Sequence, residues 1–178
     1  SAEETFKQLK QEEQNRIINE LSSKFKVEND KVRGITWYTP KSMPKYIDTR
    51  SYIIPYIGVM DSDGSAWICV RYNYTADSWI FWKKLTIVVD GEKYYKNVGY
   101  RNVIRDNDTE IWEYYDESLP VKAGMDNEDI QMLSAISESK ETIIRFEGDD
   151  YYDDLIVKDV DKTTIKETLA LYKALIGK

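Results

Sequence analysis

Carboxylates are the groups in this chain whose spacing comes nearest to chemistry. Glu110, Glu113, Asp116 and Glu117 lie in one short stretch beside Trp112, Tyr114 and Tyr115. A retaining glycosidase needs two carboxyl groups about 5 Å apart across a cleft. Strand alternation instead sets Glu113 with Ile111 and Tyr115 on one face, and Glu110 and Asp116 with Trp112 and Tyr114 on the other. A solvated strand therefore outweighs a carboxylate-dependent hydrolase. Asp149, Asp150, Asp153 and Asp154 form a second acidic run, and hard cations want several carboxylate oxygens on a flexible turn. The spacing departs from a twelve-residue calcium loop, however, and in a two-residue hairpin Asp154 falls opposite Arg145 as a cross-strand ion pair. The run is expected to be structural, with no metal bound, and the same holds for Asp106 to Glu110.

The chain has 14 Tyr and 5 Trp, so aromatic contact is the more promising chemistry. From Trp79 to Val89 alternation leaves Ile80, Trp82, Lys84, Thr86 and Val88 on one face. Either this strand is buried on both sides, or Trp82 and Lys84 form an exposed patch. Pairing across Asp90-Gly91 sets Thr86 opposite Tyr95, which brings Tyr95 to the same side. Trp82, Lys84 and Tyr95 are thus the candidate binding residues, suited to a sugar ring or a partner's loop. The competing expectation is that Trp82 is core.

Absences narrow the field further. With no His, the usual Ser-His and Cys-His nucleophile pairs and His-ligated zinc drop out. Cys69 stands alone, mid-strand in Trp67-Ile68-Cys69-Val70, and is expected to be buried and inert. The 25 basic and 32 acidic side chains give a net charge of −7, the opposite of a phosphate-neutralising surface, so nucleic acid is not an expected partner. No cofactor is implied, and no apolar run approaches the ~20 residues of a membrane span.

The elements that must position these residues are of mixed type. Residues 1–27 are polar and helix-favouring, with Phe6, Leu9, Ile17, Leu21 and Phe25 near helical spacing but a polar gap over 10–16; this predicts a helix docked through its second half, with a spacer-like first half. Residues 28–178 form the folded domain. Strand-rich sequence runs from 31 to 118, with hairpin turns at Asp90-Gly91 and Asp61-Ser62-Asp63-Gly64, and an exposed loop over 39–50 marked by Pro40 and Pro44. Pro55 argues against a central strand around it. Asp126 is placed to cap a helix ending near Ser137, and Asp161 to cap a terminal helix with Ile165, Leu169, Tyr172 and Ile176 inward. Between them 141–147 and 151–157 flank Gly148-Asp149-Asp150 as a hairpin. The fold class is α+β: an antiparallel sheet or sandwich with an N-terminal helix, one helix near 126–137 and a C-terminal helix.

Gly34-Ile35-Thr36-Trp37-Tyr38, Trp79-Ile80-Phe81, Trp112-Glu113 and the run from Ile144 to Asp154 give residues 31–175 a resemblance to β-rich domains of exported or surface-anchored, lipoprotein-type proteins of Gram-positive bacteria and their phages. The resemblance implies a compartment, outside the cell, and no assigned activity. In such proteins a Lys/Glu-rich stretch like residues 1–26 often joins a lipidated Cys to the domain, so a lipid anchor or signal peptide upstream of Ser1 is expected. The function expected is a non-catalytic exported or cell-surface domain that binds a protein or glycan ligand. The alternative is an intracellular or phage-derived accessory protein of the cytoplasm acting by protein contact.

Overall fold

A computed structural model describes residues 1–177. Helix α1 (Ala2–Ser22) leads into β1 (Phe25–Asp30), β2 (Ile35–Pro40), β3 (Tyr52–Met60), β4 (Ala66–Ala76), β5 (Lys84–Val89), β6 (Glu92–Asn97), β7 (Ile104–Asn107) and β8 (Ile111–Ser118). Helix α2 (Glu128–Glu138), the hairpin β9 (Thr142–Glu147) and β10 (Tyr152–Ile156), and helix α3 (Asp159–Ile176) complete the α+β chain. The strands form two antiparallel sheets, one of six strands in the order β1-β2-β3-β4-β8-β7 and one of four in the order β10-β9-β5-β6.

Local chemistry explains most boundaries. Asp90 and Gly91 take φ of 46° and 89° and set Val89 opposite Glu92, the positive-φ pair that a two-residue hairpin needs. Thr86 then faces Tyr95, and Asp154 faces Arg145, both in the expected register. Pro55 does sit in an interior strand. β2 pairs with β3 only as far as Tyr38↔Ile57, so the missing N–H of Pro55 lies where no β2 partner remains.

One core joins the layers. One face of the large sheet contributes Ile53, Ile57, Ile68, Val70 and Tyr72; the inner face of the small sheet contributes Leu85, Ile87, Ile144 and Phe146; α2 and α3 supply Ile130, Leu133, Ile136, Ile165 and Leu169. Lys96, 13% exposed, stitches the sheets to α2 by binding Glu117 at 2.8 Å and Asp129 at 2.6 Å. The Lys162 ammonium donates to the carbonyls of Ser139 and Lys140 at 3.2 Å, satisfying the C-terminal end of α2.

Several expectations shift. Thr39 and Pro40 belong to β2 and pair with β1, so the loop expected over 39–50 begins at Lys41, and Ile176, expected inward on α3, is exposed. The cap of α2 is Asn127, whose side chain accepts from the amides of Asp129 and Ile130, one residue beyond Asp126. α3 begins at Asp159, so Asp161 lies inside the helix, where it is buried and takes both terminal nitrogens of Arg50 at 2.7 Å. The sheet starts at Phe25, slightly inside the polar N-terminal stretch. α1 itself docks through its second half: Ile18 is buried and Gln14 donates to the Ala174 carbonyl, whereas Phe6 and Leu9 are exposed. No helix among the described residues is long and apolar enough to cross a membrane.

Candidate functional site

The segment between β4 and β5, residues 77–83, has no regular secondary structure, yet the four amides of residues 80–83 are all bonded to groups of other elements. Tyr74 Oη donates to the Ser78 carbonyl at 2.8 Å. The amides of Ile80, Phe81 and Trp82 all point at one carboxylate, that of Glu113, at 2.9, 3.1 and 3.0 Å. The Trp82 indole N–H donates to the Glu113 carbonyl at 2.9 Å. Lys83 N–H donates to the Glu147 carbonyl, and the Lys83 carbonyl accepts from Val98 and Gly99.

Converging amides require a bend, and the bend falls on Phe81, with φ of 53°. A bulky side chain is rarely found there, because Cβ approaches the following carbonyl at a cost of about 1–2 kcal/mol. Glu113 is fully buried, so an anion sits in a low-dielectric site where its hydrogen bonds are strong. Arg105 neutralises it: Nε donates to Glu113 at 2.8 Å, Nη2 to the Trp82 carbonyl at 2.6 Å, and Nη1 to the carbonyls of Tyr100 and Val103. The strained loop is therefore held by a charged clamp reaching from β7 and β8.

The clamp presents an aromatic platform. The Trp79 and Phe81 rings stack with centroids 6.0 Å apart and planes 12° from parallel, and Phe81 is 43% exposed. The β9–β10 turn braces the loop from the side. A Cβ on Gly148 would lie 2.0 Å from the Ile80 carbonyl oxygen, so only glycine allows this approach, and Asp149 pairs with Lys83. The arrangement leaves a fixed aromatic pair, Phe81 exposed and Trp79 partly buried, beside the Lys83–Asp149 ion pair.

The structure separates the three residues singled out from the sequence. Lys84 and Tyr95 do share the uncovered outer face of the small sheet, Tyr95 being 71% exposed. Trp82 does not: it is 0% exposed and packs edge-on to Phe146 at 5.3 Å. The left-handed turn at Phe81 ends the alternation assumed for 79–89, and β5 begins only at Lys84, so Trp82 turns inward as the anchor of the loop. The residues that alternation does not single out are its neighbours Phe81, which is exposed, and Trp79, which is partly buried against the core. The signal present was an aromatic triplet; nothing in the residue type Phe announces positive φ.

The carboxylates near β8 are taken up separately. Glu113 binds Arg105, Asp116 binds Arg71 and Glu117 binds Lys96, and Glu113 and Asp116 lie on opposite faces of the strand. In the acidic turn Asp154 binds Arg145 at 2.7 Å and is held below its ordinary pKa by that guanidinium, while burial pushes Asp153 up. No group of three or more His, Cys, Asp or Glu gathers as a metal site among the described residues. Cys69 is buried, and burial raises its thiol pKa. Compared with protein-family models, curated proteins and solved structures, the chain matches none.

Proposed function

We propose that this chain is a non-catalytic binding domain displayed outside the cell, which engages a protein or glycan partner through the Trp79–Phe81 platform, with Lys84 and Tyr95 on the adjoining sheet face. The observation that carries this reading is Phe81, a strained and exposed aromatic kept in place by a buried carboxylate. Strain of this kind persists where surrounding structure enforces it, and it clusters at binding sites. Rigid aromatic rings supply large contact area with little side-chain entropy to lose, and a loop ordered beforehand has less left to lose on binding. The surface location rests on the sequence resemblance, and the free first half of α1 suits a spacer.

The test compares retention of labelled chain on native cell-envelope fractions for the unmodified protein, Trp79→Ala/Phe81→Ala and Tyr95→Ala, with circular dichroism melting as the folding control. Loss of about tenfold in affinity, roughly 1.4 kcal/mol, in the folded double variant is the expected result. Equal retention by that variant contradicts the platform. Retention from cytosol and not from envelope would move the protein to an intracellular accessory role.

A further inference from the structure

A cleft of about 480 Å³ opens where the last turns of α3 meet the β3–β4 turn and the segment after β8. Sites that enclose small molecules run from roughly 300 to 1,000 Å³, so one small ligand fits. Tyr172 of α3 lines the cleft, is 0% exposed, and has a hydroxyl with no hydrogen-bond partner among the described residues. Buried hydroxyls are nearly always bonded, so this one calls for an acceptor that the chain does not supply. The Gly124 N–H lies beside the same oxygen and donates to no backbone carbonyl among the described residues. Lys122, from the segment after β8, and Asp63, from the β3–β4 turn, border the cleft with opposite charges, and neither has an ion-pair partner among the described residues. Asp63 is fixed by the Ser65 amide at 2.9 Å, and that amide, the Ser65 hydroxyl and the charge of Lys122 hold its carboxyl below the ordinary range. Val121, Leu175 and Ile176 add an apolar wall.

We propose that this cleft binds a free amino acid with an apolar side chain. Its carboxylate answers three donors, the Lys122 ammonium, the Tyr172 hydroxyl and the Gly124 amide, and its ammonium answers Asp63. Its side chain lies on the wall of Val121, Leu175 and Ile176. Opposite charges on one cleft select against simple ions, because an anion alone meets Asp63 and a cation alone meets Lys122. A zwitterion with an apolar body satisfies both charges, the buried hydroxyl and the wall at once. The site is independent of the Trp79–Phe81 platform, and the failure of one leaves the other standing.

Isothermal titration of the full chain with L-leucine tests it, beside N-acetyl-L-leucine, which lacks the ammonium, L-leucinamide, which lacks the carboxylate, and glycine, which lacks the side chain. Saturable binding of leucine is expected, with each of the other three at least about tenfold weaker. Lys122→Ala, a change at an exposed side chain, should weaken leucine by a similar factor. Tyr172→Phe removes only the unpaired hydroxyl, so the free chain should melt no lower than the unmodified protein while leucine binding falls several-fold. No saturable heat with leucine, or equal binding of either blocked form or of glycine, overturns the proposal. Unchanged leucine binding in Lys122→Ala or in Tyr172→Phe overturns it as well.

Discussion

The Glu113 carboxylate receives the amide of Phe81 at 3.1 Å, and this bond from β8 fixes one of the two left-handed non-glycine conformations among the described residues, the one that falls on a bulky aromatic. The same carboxylate holds the amides on either side and the Arg105 guanidinium, so loop shape, core charge and aromatic display depend on one side chain.

Glu113→Ala should therefore be among the most damaging single changes. It leaves Arg105 without its counter-ion and three amides without an acceptor, and breaking a buried pair from one side costs about 3–5 kcal/mol. Urea unfolding measures this; a loss below ~1 kcal/mol would mean the clamp is dispensable.

Trp82 and Phe81 should behave oppositely although they are adjacent. Trp82→Ala empties a fully buried site and should cost about 3–5 kcal/mol. Phe81→Gly should leave unfolding free energy within about 1 kcal/mol, because release of left-handed strain offsets the loss of a half-exposed ring. Denaturant titration of both variants decides whether the two residues are rightly divided between core and display.

How far the sequence could be read follows from the same pair. Local rules worked where residue type and conformation agree: Asp90-Gly91 as a turn, Arg145 across from Asp154, the second half of α1 as the docked half. They failed where a long-range partner overrides a local preference. Asp161 has the composition of a helix cap but is drawn inside by Arg50, from a loop more than a hundred residues away. Glu113 appeared as a solvated strand residue, since its three amide partners come from another segment. Alternation brings Trp82 into a patch with Lys84 only if the strand runs unbroken; the competing expectation, that Trp82 is core, is the one the structure shows.

Acid should weaken the β9–β10 hairpin. Asp154 has its pKa lowered by Arg145, so the stability it contributes is full above the unfolded carboxylate value of about 3.9 and is lost as pH falls through the lower folded value. Melting temperature should drop more steeply over this window in the unmodified protein than in Arg145→Ala; identical slopes would show that the pair is uncoupled from folding.

Removal of residues 1–13 should shift the melting temperature by only a few degrees, because Phe6 and Leu9 are exposed and docking starts at Gln14 and Ile17. Collapse of folding would assign that half-helix to the core.

Hydrogen exchange at the amides of Ile80, Phe81 and Trp82 reads the central claim directly, since a loop clamped by Glu113 must exchange like core and a merely exposed loop like solvent. The account predicts protection at these three amides comparable with that of β4 and β9, lost together in Glu113→Gln. Exchange at unprotected rates in the unmodified chain would contradict it.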